Sequence, residues 1–265
     1  MNKPKLVEIY DQYVDLENEK NRLDRYEGNE KWFNGSASGL CIRKNYYKVN
    51  GTEVSNPRNR TTNRLLRLGT VLHNDFQNIT DLFTLIDYKG DIGGSTINSS
   101  LYSTIIELTS GIANLEIEGE IQLPEYNVRG FYDIVVTMET GEVFLYDIKT
   151  MSSWSWKYKF NNTIEPKASW WHELQLATYG IGVQKKFGRL DGMSCLYYNK
   201  DSSVMKECEV DLDRIIDAKG YWANNLEQTS LGRPPELITN ESPAFDWECK
   251  YCDFQDYCKN DWEYD

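Results

Sequence analysis

A chain of 265 residues, 40% hydrophobic and 26% charged, can bury one substantial core, which excludes a disordered chain and fits one main domain with an added lobe. Its formal charge of -12 argues against a protein that binds nucleic acid through bulk charge, and no window approaches the apolar run of a membrane span. The opening MNKPKLVEIYDQYVDLENEK has no signal-peptide core, so an intracellular protein is expected, and six cysteines then fit a reducing compartment better than a disulfide framework.

Residues 3–27 combine apolar positions at helical spacing with many charges, the pattern of an exposed amphipathic helix. From Lys31 to Thr70 the basic residues Lys31, Arg43, Lys44, Lys48, Arg58, Arg60, Arg64 and Arg67 stand against only Glu53, so a basic surface can exist on an acidic protein, with a merely solvated charged face as the equal alternative. A second helix is predicted through RLLRLGTVLHNDFQNITDLF, where Leu65, Leu68, Leu72, Phe76 and Ile79 recur every three or four residues, with His73 beside the stripe. GDIGGSTINSS is loop by composition.

NLEIEGEIQL at 114–123 alternates strictly and predicts a strand with an acidic face. Strands over 128–138 and 142–149 follow, separated by a turn at Thr140-Gly141. A helix near 168–186, strands near 193–199 and 203–210, and a helix near 211–227 complete a mixed sheet flanked by helices.

The chemistry concentrates in GFYDIVVTMETGEVFLYDIKT. Residues two apart on a strand share a face, so Asp147 and Lys149 point together, and Asp133 lies on the partner strand of the hairpin. Two close carboxylates repel unless a cation lies between them or one takes up a proton. Oxygen ligands suit Mg²⁺ or Mn²⁺, and a lysine alongside can orient water or stabilise charge on a phosphate. A cross-strand ion pair alone is worth a fraction of a kcal/mol, and the apolar neighbours Phe144, Leu145, Tyr146 and Ile148 imply a buried site in which unused charge is costly.

The runs G-F-Y-D and Y-D-I-K-T resemble the core of the PD-(D/E)XK nucleases, and Gln175 and Tyr179 in Q-L-A-T-Y are similar to the Q-x-x-x-Y motif of the RecB-like branch. The resemblance implies an α/β fold: a restriction-endonuclease-like core, with a central mixed sheet flanked by helices, a helical N-terminal lobe and a C-terminal cysteine cluster. Within one domain over 1–265, it implies a helical lobe over 28–110, a nuclease core over 111–230 and an iron-sulfur segment over 231–265. It further implies that Asp133 and Asp147 hold the metal with the carbonyl of Ile148, that Lys149 is catalytic, and that Gln175 and Tyr179 position the strand. His73, in G-T-V-L-H, matches an upstream histidine ligand, and Glu118 or Glu120, with Glu120 preferred, would supply an acid before the G-x-x-D element. The literal proline of the family name is missing, and Asp147 stands where many relatives carry glutamate.

The tail reads C-K-Y-C-D-F-Q-D-Y-C, placing Cys249, Cys252 and Cys258 together, with Cys41 far upstream in G-L-C-I-R-K. Four thiolates can bind zinc or a cubane cluster, and one lone cysteine with a trio leans toward iron and sulfur. The arrangement looks like the iron-sulfur staple of AddB-type nucleases and of CRISPR-associated nucleases that process spacers, which implies a 4Fe-4S cluster on Cys41, Cys249, Cys252 and Cys258. Cys195 and Cys208 fall in strand patterns and are assigned to packing.

Trp154, Trp156 and Tyr158 follow the lysine motif, and Trp170 and Trp171 open the next helix, which suits base stacking or equally core packing. The expected function is a metal-dependent DNA exonuclease acting on single strands or DNA ends, with a partner from recombination or replication. The competing expectations are a weakly catalytic DNA-end-binding or assembly subunit, an endonuclease on branched or flap DNA, and a zinc-stabilised hydrolase of another phosphoester.

Overall fold

The computed structural model describes residues 5–26, 31–81, 91–92, 95–96, 99–160, 170–237 and 245–262. In chain order these form α1 (Leu6–Tyr26), β1 (Phe33–Asn34), α2 (Ile42–Val49), α3 (Arg60–Gln77), β2 (Asp91–Ile92), β3 (Ser95–Thr96), α4 (Ser99–Thr109) and β4 (Ile112–Leu123). Then come β5 (Val128–Met138), β6 (Val143–Met151), α5 (Ser153–Phe160), α6 (Trp170–Phe187), β7 (Gly192–Asn199), β8 (Met205–Val210), α7 (Arg214–Thr229), α8 (Phe245–Lys250) and α9 (Gln255–Trp262).

The α/β architecture is the mixed sheet expected. Strict alternation makes β4 a long strand that pairs antiparallel with β5, and a turn in which Gly141 adopts φ 93° returns the chain as β6. β6 then runs parallel to β7, and β7 pairs antiparallel with β8, giving the order β1-β5-β6-β7-β8 with β4 also on β5. One edge of β5 is fully taken by β4. The other edge is shared: β6 pairs with Ile134–Thr137, and β1 pairs in parallel with Val128 and Arg129. Between these two pairings, residues 130–133 have no strand beside them on that edge among the described residues, and a cleft opens there.

α6 packs on the sheet through a nearly continuous buried run, Leu174 and then Leu176 to Val183, broken by Gln175. At about 1.5–3 kcal/mol for each large apolar side chain, this seam fixes the helix firmly. Glycine at 182 is required by the close approach, because a Cβ there would meet Ile121 at 2.5 Å. α7 covers α6: Trp222, fully buried, donates its indole N–H to Thr178 Oγ1 at 2.8 Å, and Thr178 exchanges a hydrogen bond with Ser38 at 2.7 Å.

A clasp joins distant parts of the chain. Tyr47 of α2 packs with Cys252, Phe254 and Tyr257 in a second small core. The N–H groups of Ser55 and Asn56 both donate to the Asp253 carbonyl at 3.0 Å. The Glu248 carboxylate accepts from the Cys41 N–H at 3.0 and 3.1 Å.

Two expectations are corrected. Part of the stretch read as loop forms the short hairpin β2-β3, and its end opens α4. The basic run from Lys31 to Thr70 is not an open basic face, because most of its arginines have partners: Arg58 faces Asp253, Arg60 and Arg64 face Asp11, Arg67 faces Glu17, and buried Arg43 bonds Tyr47 and the Pro235 carbonyl. No helix among the described residues is long and apolar enough to cross a membrane.

Candidate active site

The cleft beside β5 holds a cavity of about 390 Å³. Its lining draws His73 from α3, Glu118 from β4, Asp133 from β5, Asp147, Ile148 and Lys149 from β6, and Gln175 and Tyr179 from α6. The pairing of β5 with β6 ends at Ile134 and Tyr146, so the next residues inward, Asp133 and Asp147, stand where the strands part. A side chain replaces the missing backbone ladder: Asp133 Oδ2 accepts the Ile148 N–H at 2.6 Å.

Charge is balanced inside the cleft. Lys149 Nζ lies 2.5 Å from Asp147 Oδ2 and donates to Gln175 Oε1 at 3.0 Å. His73 Nδ1 is 3.6 Å from Asp133 Oδ1. Gln175 extends the chain of contacts, its amide donating to the Tyr179 hydroxyl at 3.0 Å and reaching Asp147 Oδ1 at 3.4 Å. Asp147 Oδ2 is fully buried, and among the described residues it meets no hydrogen-bond donor besides the Lys149 ammonium.

The electrostatics follow from burial and neighbours. Asp147 is 1% exposed, and burial pushes its carboxyl up to about 6 against the pull of Lys149, with Asp133 adding repulsion. Burial also raises Asp133, but His73, Lys149 and the Ile148 N–H outweigh it and hold that carboxyl below its ordinary range. Burial would lower Lys149, yet the two aspartates more than compensate and raise it. The site thus separates two neighbouring acids, one held ionised and one that resists ionisation.

Tyr179 is positioned by two glycines. Its ring passes so close to Gly35 and Gly130 that a Cβ at either would fall 2.8 or 2.7 Å from Tyr179 Cε1.

The candidates Asp133, Asp147, Ile148, Lys149, Gln175, Tyr179 and His73 all line this cavity. Glu120 does not. It accepts from Arg129 Nε at 2.6 Å and from Gln122 at 2.6 Å, outside the cleft. Glu118 is the acid at the cavity, opposite Asp133 between the paired positions Ile117–Ile134 and Gly119–Tyr132, with its carboxylate accepting from Gln77 at 2.7 Å. Its φ of 51° turns it out of simple strand alternation, and Gly119 next to it yields its side-chain space to the Tyr132 ring. Gly119 adjoins both acids, so the sequence alone does not separate Glu118 from Glu120.

A sequence profile of the PD-(D/E)XK nuclease superfamily matches residues 59–259. The chain belongs to the PD-(D/E)XK nuclease superfamily. The crystal structure of SSO0001 is similar over 95% of this chain and 97% of that one, with 18% identity and a TM-score of 0.53, a likeness of fold. More distant are an exonuclease candidate from Eubacterium rectale, 12% identical over 83% of this chain and 90% of that one with a TM-score of 0.47, and the alkaline exonuclease of Laribacter hongkongensis, 12% identical over 79% and 93% with a TM-score of 0.36. No curated protein matches this nuclease.

Two further groups lie outside the cavity. His172 is half-buried beside Tyr197, 3.4 Å from its hydroxyl, and its desolvation with the nearby lysines holds the imidazole well below its ordinary range, so it is neutral. Cys41, Cys249, Cys252 and Cys258 line a cavity of about 20 Å³ with Glu248, whereas Cys195 and Cys208 face each other across β7 and β8. Among the described residues, no three side chains of His, Cys, Asp or Glu stand close enough as placed to grip a single ion.

Proposed function

We propose that this nuclease is a divalent-metal-dependent DNA exonuclease acting on single strands or DNA ends. The observation that carries the reading is the convergence of two buried aspartates, one lysine and the Gln175-Tyr179 pair on one open cavity. The donor chemistry fits Mg²⁺ or Mn²⁺: all the oxygens are hard, and Asp147 Oδ2 is a buried oxygen that already faces a cation, the Lys149 ammonium at 2.5 Å. His73, Asp133, Asp147 and the Ile148 carbonyl would hold the ion, with Glu118 taking the part expected of Glu120. When bound, the ion supplies Lewis acidity toward the phosphate and an acidified water.

The chain's own groups do the rest. Asp133 remains ionised through its neighbours and the Ile148 N–H, so a ligand is ready before the metal arrives. Lys149, held by Asp147 and Gln175 at the cavity, would present its ammonium to the developing phosphate charge or to the attacking water. Gln175 holds Lys149 and Tyr179 in one hydrogen-bonded row and so orients both toward the strand. On α5, Trp154 and Tyr158 are exposed with ring centroids 4.6 Å apart, while Trp156 and Phe160 turn inward. An exposed aromatic pair after the catalytic strand supports stacking on unpaired bases.

For Cys41, Cys249, Cys252 and Cys258 we propose a structural 4Fe-4S cluster, because one lone cysteine with a C-x₂-C-x₅-C trio leans toward iron and sulfur rather than zinc. A single zinc ion needs four sulfurs at about 2.3 Å, whereas a cubane offers a separate iron to each thiolate and tolerates a wider set. Within one domain, the cluster would reinforce the clasp between residues 41–58 and 248–256. The test is digestion of labelled single strands with Mn²⁺ by the full chain and by Lys149→Ala. Metal-dependent digestion lost in the variant is expected; digestion that persists unchanged in the variant removes the mechanism.

A further inference from the structure

The cavity chemistry leaves the arginines of α3 without a role. Arg60, Arg64 and Arg67 recur at i, i+4 and i+7 and form one row along the helix. At 1.5 Å per residue the row lies about 9 to 20 Å along the axis from His73, and residues 66, 69, 70, 73 and 74 of the same helix line the cavity. The row lies on the helix that forms one wall of the cavity, about a third of a turn around the axis from the residues that line it. α3 carries no acid of its own before Asp75.

The acids come from α1. Asp11 lies 3.0 Å from Arg64 and 3.8 Å from Arg60, and Glu17 lies 3.7 Å from Arg67. Asp15 accepts from Asn63 at 3.1 Å, and Arg67 donates to the Tyr13 hydroxyl at 3.2 Å while its guanidinium stands 5.7 Å over that ring. The apolar contribution to this contact is small: Val14 is buried, whereas Leu6, Val7, Ile9 and Leu16 are each more than half exposed. α1 is held on α3 largely by carboxylates at the positions a polyanion would use. Asp11 is 5% exposed, and Arg67 and Glu17 are largely covered, so these pairs resist simple screening by salt and yield to a ligand that brings a replacement negative charge to each guanidinium.

We infer that the Arg60-Arg64-Arg67 row is a phosphate-binding surface for the nucleic-acid strand entering the cavity, and that α1 is an acidic strap occupying it until the strand displaces it. The inference takes the identity of the polyanion from the nuclease reading. A strand backbone is the ligand that engages all three guanidinium groups once the carboxylates leave.

The test is fluorescence anisotropy with a labelled single-stranded oligonucleotide in EDTA, across a salt series, on full-length chains. Asp11→Asn/Asp15→Asn/Glu17→Gln is expected to bind on the order of tenfold tighter at low salt. The slope of log affinity against log salt should steepen by about 2, at about 0.7 per arginine freed onto a single strand. In a chain that also carries Arg60→Gln/Arg64→Gln/Arg67→Gln, the same acid substitutions should change nothing. Equal tightening in both backgrounds would reflect net charge alone and overturn the inference, as would no tightening in either. Hydrogen exchange on the unaltered chain gives a second readout that needs no variant to fold: α1 amides should exchange faster when the strand saturates the protein, and unchanged or slower exchange overturns the strap. Neither readout requires cleavage, so a failed nuclease assay and a failed strap remain distinguishable.

Discussion

Asp147→Asn offers a direct test of the charge arrangement at the cleft. Burial pushes the Asp147 carboxyl up to about 6, against an ordinary value of 3.8. The folded chain therefore keeps a proton that the unfolded chain releases, and the associated stability is full below about pH 4 and lost as pH rises through about 6. Two pH units at about 1.4 kcal/mol each give a loss of about 3 kcal/mol by neutral pH without metal. The amide cannot ionise, so the variant escapes this loss. Urea unfolding in EDTA from pH 4 to 7.5 should show wild type falling relative to the variant by about 3 kcal/mol, or roughly 6–12 °C in Tm. His172, kept neutral by desolvation, and Glu248, raised by burial, titrate in both chains and cancel in the difference. Loss of the Lys149 partner displaces the variant curve without changing its slope in this window. Mn²⁺ should restore wild-type stability above pH 6 and leave the variant unmoved. If the two chains unfold in parallel across this range, Asp147 carries no buried charge penalty and the electrostatic account fails.

Lys149→Met should reduce cleavage by about 10²- to 10³-fold, as expected for loss of a charge-stabilising donor, while Mn²⁺ still raises its Tm. Gly130→Ala should displace the Tyr179 ring, since the new Cβ meets it at 2.7 Å, costing about 1–3 kcal/mol by urea unfolding and lowering kcat more than a distant surface change. Trp154→Ala, at a residue 70% exposed, should leave stability within about 0.5 kcal/mol but weaken single-strand binding by about 1–3 kcal/mol in titrations. Protein purified without air should carry about four irons and four sulfides per chain, and Cys252→Ala should lose both along with thermal stability.

The sheet and the cavity were legible in the sequence to different depths. Strict alternation marked β4, and the Thr140-Gly141 turn joined β5 to β6, because both signals are local. Asp133, Asp147 and Lys149 stood out because charge interrupts an apolar hairpin, and Gln175 stood out as the polar break in the buried run of α6. β1 was hidden because two residues carry no periodicity; its position depends on the free edge of β5. Glu120 drew the preference over Glu118 because alternation treats them alike, and only the left-handed backbone at Glu118 separates them. The ion pairs of the arginine run were not legible for a related reason: its partners Asp11, Glu17 and Asp253 lie on segments remote in sequence.

The clasp between α2 and the 252–257 segment also orders events during synthesis. Trp32, Phe33, Asn34 and Ser36 form one wall of the cavity, directly before α2 in the chain, and Tyr47 of α2 finds its packing partners some two hundred residues later. A nascent chain on the ribosome thus completes every acidic and basic group of the cleft before that wall has its buttress. Phe33 stacks on Trp222 and Ser38 bonds Thr178 earlier in synthesis, so what the growing polypeptide gains last, once Cys252 and Phe254 have cleared the exit tunnel, is the packing behind Tyr47.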